Sequence, residues 1–220
     1  DVYKRQLFSS MLGELWSFQG RYRTLHLTWI AFFLTFVVWF NLAPLATTVK
    51  ADLGLTVGQI RTVAICNVAL TIPARVLIGM LLDKFGPRIT YSSILVFSAI
   101  PCLLFASAQD FNQLVVARLL LSIVGAGFVI GIRMVAEWFP PKEIGLAEGI
   151  YGGWGNFGSA FSALTMVAFA GFLSFSGGFE LPSGAVLNWR GAIALSGIVS
   201  AVYGLFYFFN VTDTPPGKTY

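Results

Sequence analysis

A charged side chain in the middle of an apolar run has the clearest chemical potential in this sequence. Arg75 stands eight residues before Asp83, within the apolar run 57–82. At about 1.5 Å per helical residue, that is roughly 12 Å in from the end of the run. A charge at such depth is costly and ordinarily faces a cavity or a partner. The alternative is a side chain that snorkels to the surface, and the depth argues against it. Asn67, Thr71, Arg75 and Gly79 recur every fourth residue, a spacing that predicts a polar stripe on one helical face. A guanidinium is flat, permanently charged and a multidentate donor, so a functional arginine is the favoured reading.

A second concentration of chemistry runs from Arg133 to Ala160, RMVAEWFPPKEIGLAEGIYGGWGNFGSA. Each glycine costs about 1 kcal/mol relative to alanine in a helix. Lipid enforces helix all the same, and small residues let neighbouring helices approach. Gly149, Gly153, Asn156 and Ala160 share a stripe flanked by Gly152, which puts one amide on a smooth face. Glu148 sits about one turn into this segment and is a candidate proton carrier if buried. Arg133 and Glu137, four apart, suit an ion pair that belongs to a gate or a latch. Arg118 shares its face with Ser122 and Gly125, and two roles fit it: hydrogen bonding to nearby carbonyls, or transport chemistry.

These residues need membrane helices to position them. Only 11% of the 220 residues are charged and 56% are hydrophobic, whereas soluble domains average about a quarter charged. Six segments have the roughly 20 apolar residues that a bilayer crossing requires: about 25–48, 57–82, 89–108, 111–135, 143–175 and 189–211. The loop DKFGPR joins the second to the third, and the Gly/Ser-rich SGGFELPSGAVLN joins the fifth to the sixth. Basic residues Arg21, Arg23, Lys84, Arg88, Arg133, Lys142 and Lys218 fall on one side, against Lys50, Arg61 and Arg190 on the other. The positive-inside rule then places both ends of the bundle in the cytoplasm, in a cytoplasmic (inner) membrane. Residues 1–6 read as an artefact of the sequence, 1–24 as a cytoplasmic segment, 25–211 as the bundle, and 212–220 as the start of a cytoplasmic linker.

Several chemistries are excluded. With one histidine at a helix start, neither a Ser-His-Asp set nor a metal site can be gathered, and no P-loop or intramembrane carboxylate pair exists. No enzyme, metal or cofactor is expected. The dispersed basic residues do not suggest nucleic acid. Cys66 and Cys102 sit inside apolar segments and read as small buried residues rather than a disulfide.

Two motifs carry a resemblance. Gly79-Met-Leu-Leu-Asp83-Lys84-Phe-Gly86-Pro-Arg88 resembles the G-x-x-x-D-(R/K)-x-G-(R/K) loop of the major facilitator superfamily, with Pro87 in place of the commoner basic residue. Arg118, Gly125 and Gly127 resemble its R-x-x-x-x-x-x-G-x-G pattern. The run GIYGGWGNFGSA is similar to the nitrate signature of the nitrate/nitrite porter family, and RMVAEWFPPKEIGLAEG to bacterial and cyanobacterial nitrate permeases.

The resemblance implies an all-α membrane fold, the N-terminal six-helix half of that superfamily. It implies that Arg75 binds nitrate or nitrite beside Gly152 and Asn156, and that Phe36 and Phe128 sandwich the planar anion. Read without it, those two rings are ordinary lipid-facing or core aromatics. Gly79, Asp83, Lys84, Gly86 and Arg88, with Arg133 and Glu137, become a gating motif. Family members work by alternating access between two six-helix halves, so a second, C-terminal half is the implied partner, and this half alone is not expected to transport. An anion channel and an anion-binding sensor subunit are the rival readings.

Overall fold

The computed structural model of the chain describes residues 17–217. Residues 1–6, most of the 1–24 segment, and Lys218 lie outside the described residues. Helix α1 (Gly20–Phe40) continues through a 3₁₀ turn into α2 (Ala46–Asp52). Then come α3 (Val57–Ala69), α4 (Thr71–Phe97) and α5 (Ala99–Ser107). Helices α6 (Phe111–Ser122) and α7 (Phe128–Trp138) flank a 3₁₀ turn at Val124–Ala126. Helix α8 (Ile144–Phe172) and α9 (Trp189–Asn210) complete the bundle. Between them the glycine-rich connection forms a two-stranded antiparallel hairpin, Phe179–Glu180 with Val186–Leu187.

Among the described residues, five helical runs are long and apolar enough to cross a membrane, and one of them, Val57–Ser107, has 51 residues. At 1.5 Å per residue it would measure about 75 Å, more than twice a hydrocarbon core of ~30 Å. It folds back on itself. Gly86, at φ 78° and ψ 166°, breaks α4 in a conformation essentially restricted to glycine. Asn67 before the break and Phe105 after it both meet Arg118. The two arms therefore return to the same depth, giving a second and a third crossing and six in all. The expected loop DKFGPR shrinks to this single glycine, because Asp83 to Phe85 stay helical and Pro87, with no N–H to satisfy, starts the next helix directly.

The second crossing is itself interrupted at Leu70. Pro73 lacks the N–H that Ala69 would accept, and its ring crowds that carbonyl. The predicted polar stripe is split as a result. Asn67 exchanges hydrogen bonds with Trp39, donating to its carbonyl at 2.8 Å and accepting its indole N–H at the Asn67 carbonyl at 2.7 Å. Thr71 donates to the Ser122 carbonyl at 3.0 Å. Of the stripe, Arg75 alone lines the cavity described below.

Small residues set the helix spacing, as they do where lipid supplies no hydrophobic drive between helices. On α8 the buried face is Ala147, Tyr151, Gly155, Gly158, Ser162, Met166 and Ala170. A Cβ at Gly155 would enter the Phe32 ring, and one at Gly158 would meet the Phe33 carbonyl oxygen. Gly149 and Gly153, singled out on spacing, point the other way with nothing within 4 Å. On α9, Gly197 and Gly204 press against Cys102 and Leu95 of the third crossing, and Ser200 bonds Ser98 between them at 2.9 Å.

Candidate functional site

The break before Phe128 builds the site. Gly125 lies in the 3₁₀ turn, and a Cβ there would collide with the Trp39 indole. First and fourth crossings thus close together, and the chain re-enters helix at Phe128 with its ring toward the bundle's open side. The Arg75 guanidinium lies 4.9 Å from the centre of that ring. A cation over an aromatic face is attracted by the ring quadrupole.

Arg75, Phe36, Phe128, Gly152 and Asn156 line one cavity of about 330 Å³, together with Glu148. Four crossings contribute: Phe36 from α1, Arg75 from α4, Phe128 from α7, and Glu148, Gly152 and Asn156 from α8. Phe32 stands edge-on to Phe36, with centroids 4.5 Å apart, which fixes that ring. Asn156 donates to the Gly152 carbonyl at 2.7 Å, a local bond that holds the amide on this face. Arg75 and Asn156 are exposed, whereas Phe36, Phe128 and Glu148 are partly buried. The arrangement offers a fixed positive charge and amide N–H groups on one side, and aromatic faces on the others. Chemically it suits a small flat anion whose negative charge is spread over several atoms.

Arg118 lies elsewhere. It is fully buried and donates to Asn41 Oδ1 at 2.8 Å and Asn67 Oδ1 at 3.2 Å, with its guanidinium 4.3 Å from the Phe105 ring centre. Those contacts tie the first, second, third and fourth crossings together, and they favour the hydrogen-bonding role over transport chemistry.

The motif residues gather at one end of the bundle. Gly79 is partly buried, and Asp83 and Lys84 are exposed on the helix leading to Gly86, with the Lys84 ammonium 5.1 Å from the Phe85 ring centre. Asp213, beyond the sixth crossing, accepts from the Arg88 backbone N–H at 2.7 Å and lies 4.0 Å from its guanidinium. Arg133 and Glu137 form the expected ion pair at 3.1 Å. The spacing of the motifs gave no sign of Asp213, nor of the Arg21–Glu143 pair at 2.8 Å. At the opposite end Asp52 accepts the Trp189 indole at 2.8 Å and pairs with Arg190 at 3.6 Å.

A profile of the Major Facilitator Superfamily matches residues 28–219. The chain belongs to the Major Facilitator Superfamily. It is 64% identical over 224 residues to the nitrate/nitrite transporter NrtP of Picosynechococcus, covering 96% of this chain and 42% of that protein. Identity to the NrtP of Nostoc punctiforme is 61% over 210 residues, covering 96% and 41%. A probable nitrate/nitrite antiporter of Thermus thermophilus is 30% identical over 205 residues, covering 90% and 44%. This superfamily chain thus spans about two fifths of the length of the curated relatives it matches.

Among solved structures, a bacterial homolog of the human lysosomal transporter Spinster, crystallised inward-facing and unoccupied, superposes with a TM-score of 0.67. It covers 90% of this chain and 44% of its own at 20% identity, a likeness of fold alone. The family and the apolar helices together make this a multi-pass membrane protein.

The sequence reading singled out Arg75, Glu148 and Asn156, which the structure places on one cavity, and missed Tyr151 and the supports of the cavity wall. Trp39 on Gly125, Phe32 on Gly155 and Tyr151 on Gly131 are each a ring seated on a glycine of another helix. The signal available was the pairing of an aromatic-rich first crossing with two glycine-rich ones. Which glycine meets which ring depends on helix rotation, and these helices are apolar all round.

Proposed function

We propose that the protein containing this chain carries nitrate, and nitrite, across a cytoplasmic membrane by alternating access, with residues 25–211 as its N-terminal half and 212–220 opening the linker. Both ends of the bundle face the cytoplasm, following the basic residues. Arg75 binds the anion. Phe36 and Phe128 pack on its faces, Asn156 donates to it, and Gly152 leaves it room. Gly79, Asp83, Lys84, Gly86 and Arg88, with the Arg133–Glu137 pair, stabilise one state of the cytoplasmic gate. Glu148 carries the coupled proton. No enzymatic step is assigned.

The observation that supports this reading is the guanidinium of Arg75 over the Phe128 ring, in a cavity that also receives Phe36, Gly152, Asn156 and Glu148. The named activity of the NrtP relatives points to the same substrate. Nitrate is flat, delocalised and weakly hydrated, so aromatic faces cost it little desolvation and strengthen its attraction to the guanidinium by excluding water. The planar fork can give it two parallel hydrogen bonds.

Nitrate counterflow into liposomes, with the full-length protein and its Arg75→Lys variant, tests the assignment. Lysine keeps the charge and loses the fork, so the KM for nitrate rises by roughly tenfold or more. Equal KM in both removes Arg75 from the site. Flux that neither saturates nor shows counterflow points to a channel, and binding without flux to a sensor subunit.

A further inference from the structure

Tyr151 is buried, 1% exposed, on the α8 face opposite the glycine stripe, yet it borders the cavity. Its hydroxyl donates to the Phe128 carbonyl at 2.7 Å. The Tyr91 hydroxyl, on the third crossing and fully buried, lies 3.2 Å from the Tyr151 hydroxyl oxygen. A phenol has one proton, and Tyr151 has placed it on Phe128, so Tyr91 is the donor in this second bond. The Tyr151 ring also stacks on Phe32 at 4.9 Å, and Phe32 in turn braces Phe36. Gly131, one turn after Phe128, leaves the space the Tyr151 ring occupies, because a Cβ there would enter it.

We infer that Tyr151, braced by Tyr91, is a positioning residue for the anion site: it fixes the Phe128 platform under Arg75 and thereby sets anion affinity. The inference rests on the transport reading above. Phe128 opens α7 directly after a 3₁₀ turn, where no preceding α-helical residues hold its backbone in register. The Tyr151 hydroxyl supplies that restraint from another helix. One chain of contacts, Tyr91 to Tyr151 to Phe128 to Arg75, links the third, fifth, fourth and second crossings and ends on the charge. Only two hydroxyl hydrogen bonds lie between the buried core and the ligand face.

The test is nitrate counterflow in liposomes with the full-length protein, in parallel with Arg75→Lys, Tyr151→Phe and Gly131→Ala. Tyr151→Phe keeps the ring, its stack on Phe32 and its seat on Gly131, and removes only the hydroxyl. A lost hydrogen bond of typical net strength corresponds to about a five- to tenfold change. The expected result is a nitrate KM raised by up to that factor, with maximal rate within about twofold and a thermal midpoint lowered by only a few degrees, since the Tyr91 hydroxyl and the Phe128 carbonyl each lose a partner. Gly131→Ala displaces the same ring from the other side, so it raises KM too. The double variant is no worse than the poorer single one.

An unchanged KM in Tyr151→Phe overturns the inference. So does a KM rise from the two single variants that multiplies in the double, or a maximal rate that falls in proportion to folded protein while KM stays put. An Arg75→Lys variant with normal KM instead brings down the transport-site reading itself. A weakened Arg75→Lys beside a normal Tyr151→Phe removes this inference alone. Should Gly131→Ala fail to fold, Tyr91→Phe takes its place, with a smaller KM rise expected because it acts through Tyr151.

Discussion

Arg75 and Arg118 are the same residue type within the bundle, and their surroundings separate them. Arg118 is fully buried and spends two N–H groups on amide oxygens, so its charge stabilises helix packing. Arg75 is exposed on a cavity wall and meets a ring face. The glycines divide in the same way. Gly158 abuts the Phe33 carbonyl, a backbone group that cannot rotate aside, whereas Gly145 has open space around it. Gly158→Ala is therefore expected to cost up to about 2 kcal/mol, after the helix-propensity gain of about 1 kcal/mol is subtracted. Gly145→Ala stays within about 0.5 kcal/mol. Thermal unfolding in detergent of the two variants checks the contrast. Comparable midpoints would mean that the first and fifth crossings pack less closely than described. Depth of charge and presence of glycine were both readable from the chain. Their direction was not, because a helix apolar on every face carries no mark of which side meets protein.

At the scale of elements, the turn between the second and third crossings is held by a residue from beyond the sixth. Asp213 places its carboxylate on the Arg88 N–H, at the start of the helix arm that Pro87 opens. A negative charge there complements the unpaired amides and the dipole of that arm. Gly86 carries φ 78°, and a Cβ on it would lie 2.7 Å from Asp213 Oδ1. Gly86→Ala thus meets two penalties, a backbone strain of about 1–3 kcal/mol and a clash with the carboxylate. Asp213→Ala relieves only the clash. A double-mutant cycle on thermal stability should give a favourable coupling, with Gly86→Ala still destabilising in the Asp213→Ala background. Strict additivity would show that the two residues do not touch. The motif from Gly79 to Arg88 announced a turn, and its glycine marked the pivot. Asp213 lies 125 positions from Arg88 in the chain, and nothing in its local sequence connects the two.

For the molecule as a whole, the proposed transport turns on the net charge moved per cycle. Nitrate entering a cell negative inside works against about 2.3 kcal/mol per 100 mV. One proton carried with it cancels that term. Glu148 is the single carboxylate that lines the cavity among the described residues, and it lies there with Arg75. One carboxyl binds one proton, so coupling through Glu148 alone makes uptake electroneutral. In liposomes, nitrate uptake by the full-length protein is then expected to follow an imposed pH gradient and to ignore a potassium–valinomycin potential. Glu148→Gln, which holds the neutral form permanently, should abolish the response to the pH gradient. It should leave nitrate counterflow nearly intact, since exchange of one anion for another needs no proton. Uptake that rises with inside-negative potential would require a second proton site besides Glu148. Loss of counterflow in Glu148→Gln would make the carboxylate part of anion binding rather than of coupling. Retained pH-driven uptake in that variant would remove Glu148 from both roles and leave exchange, with the leaving anion balancing the charge, as the mode of transport.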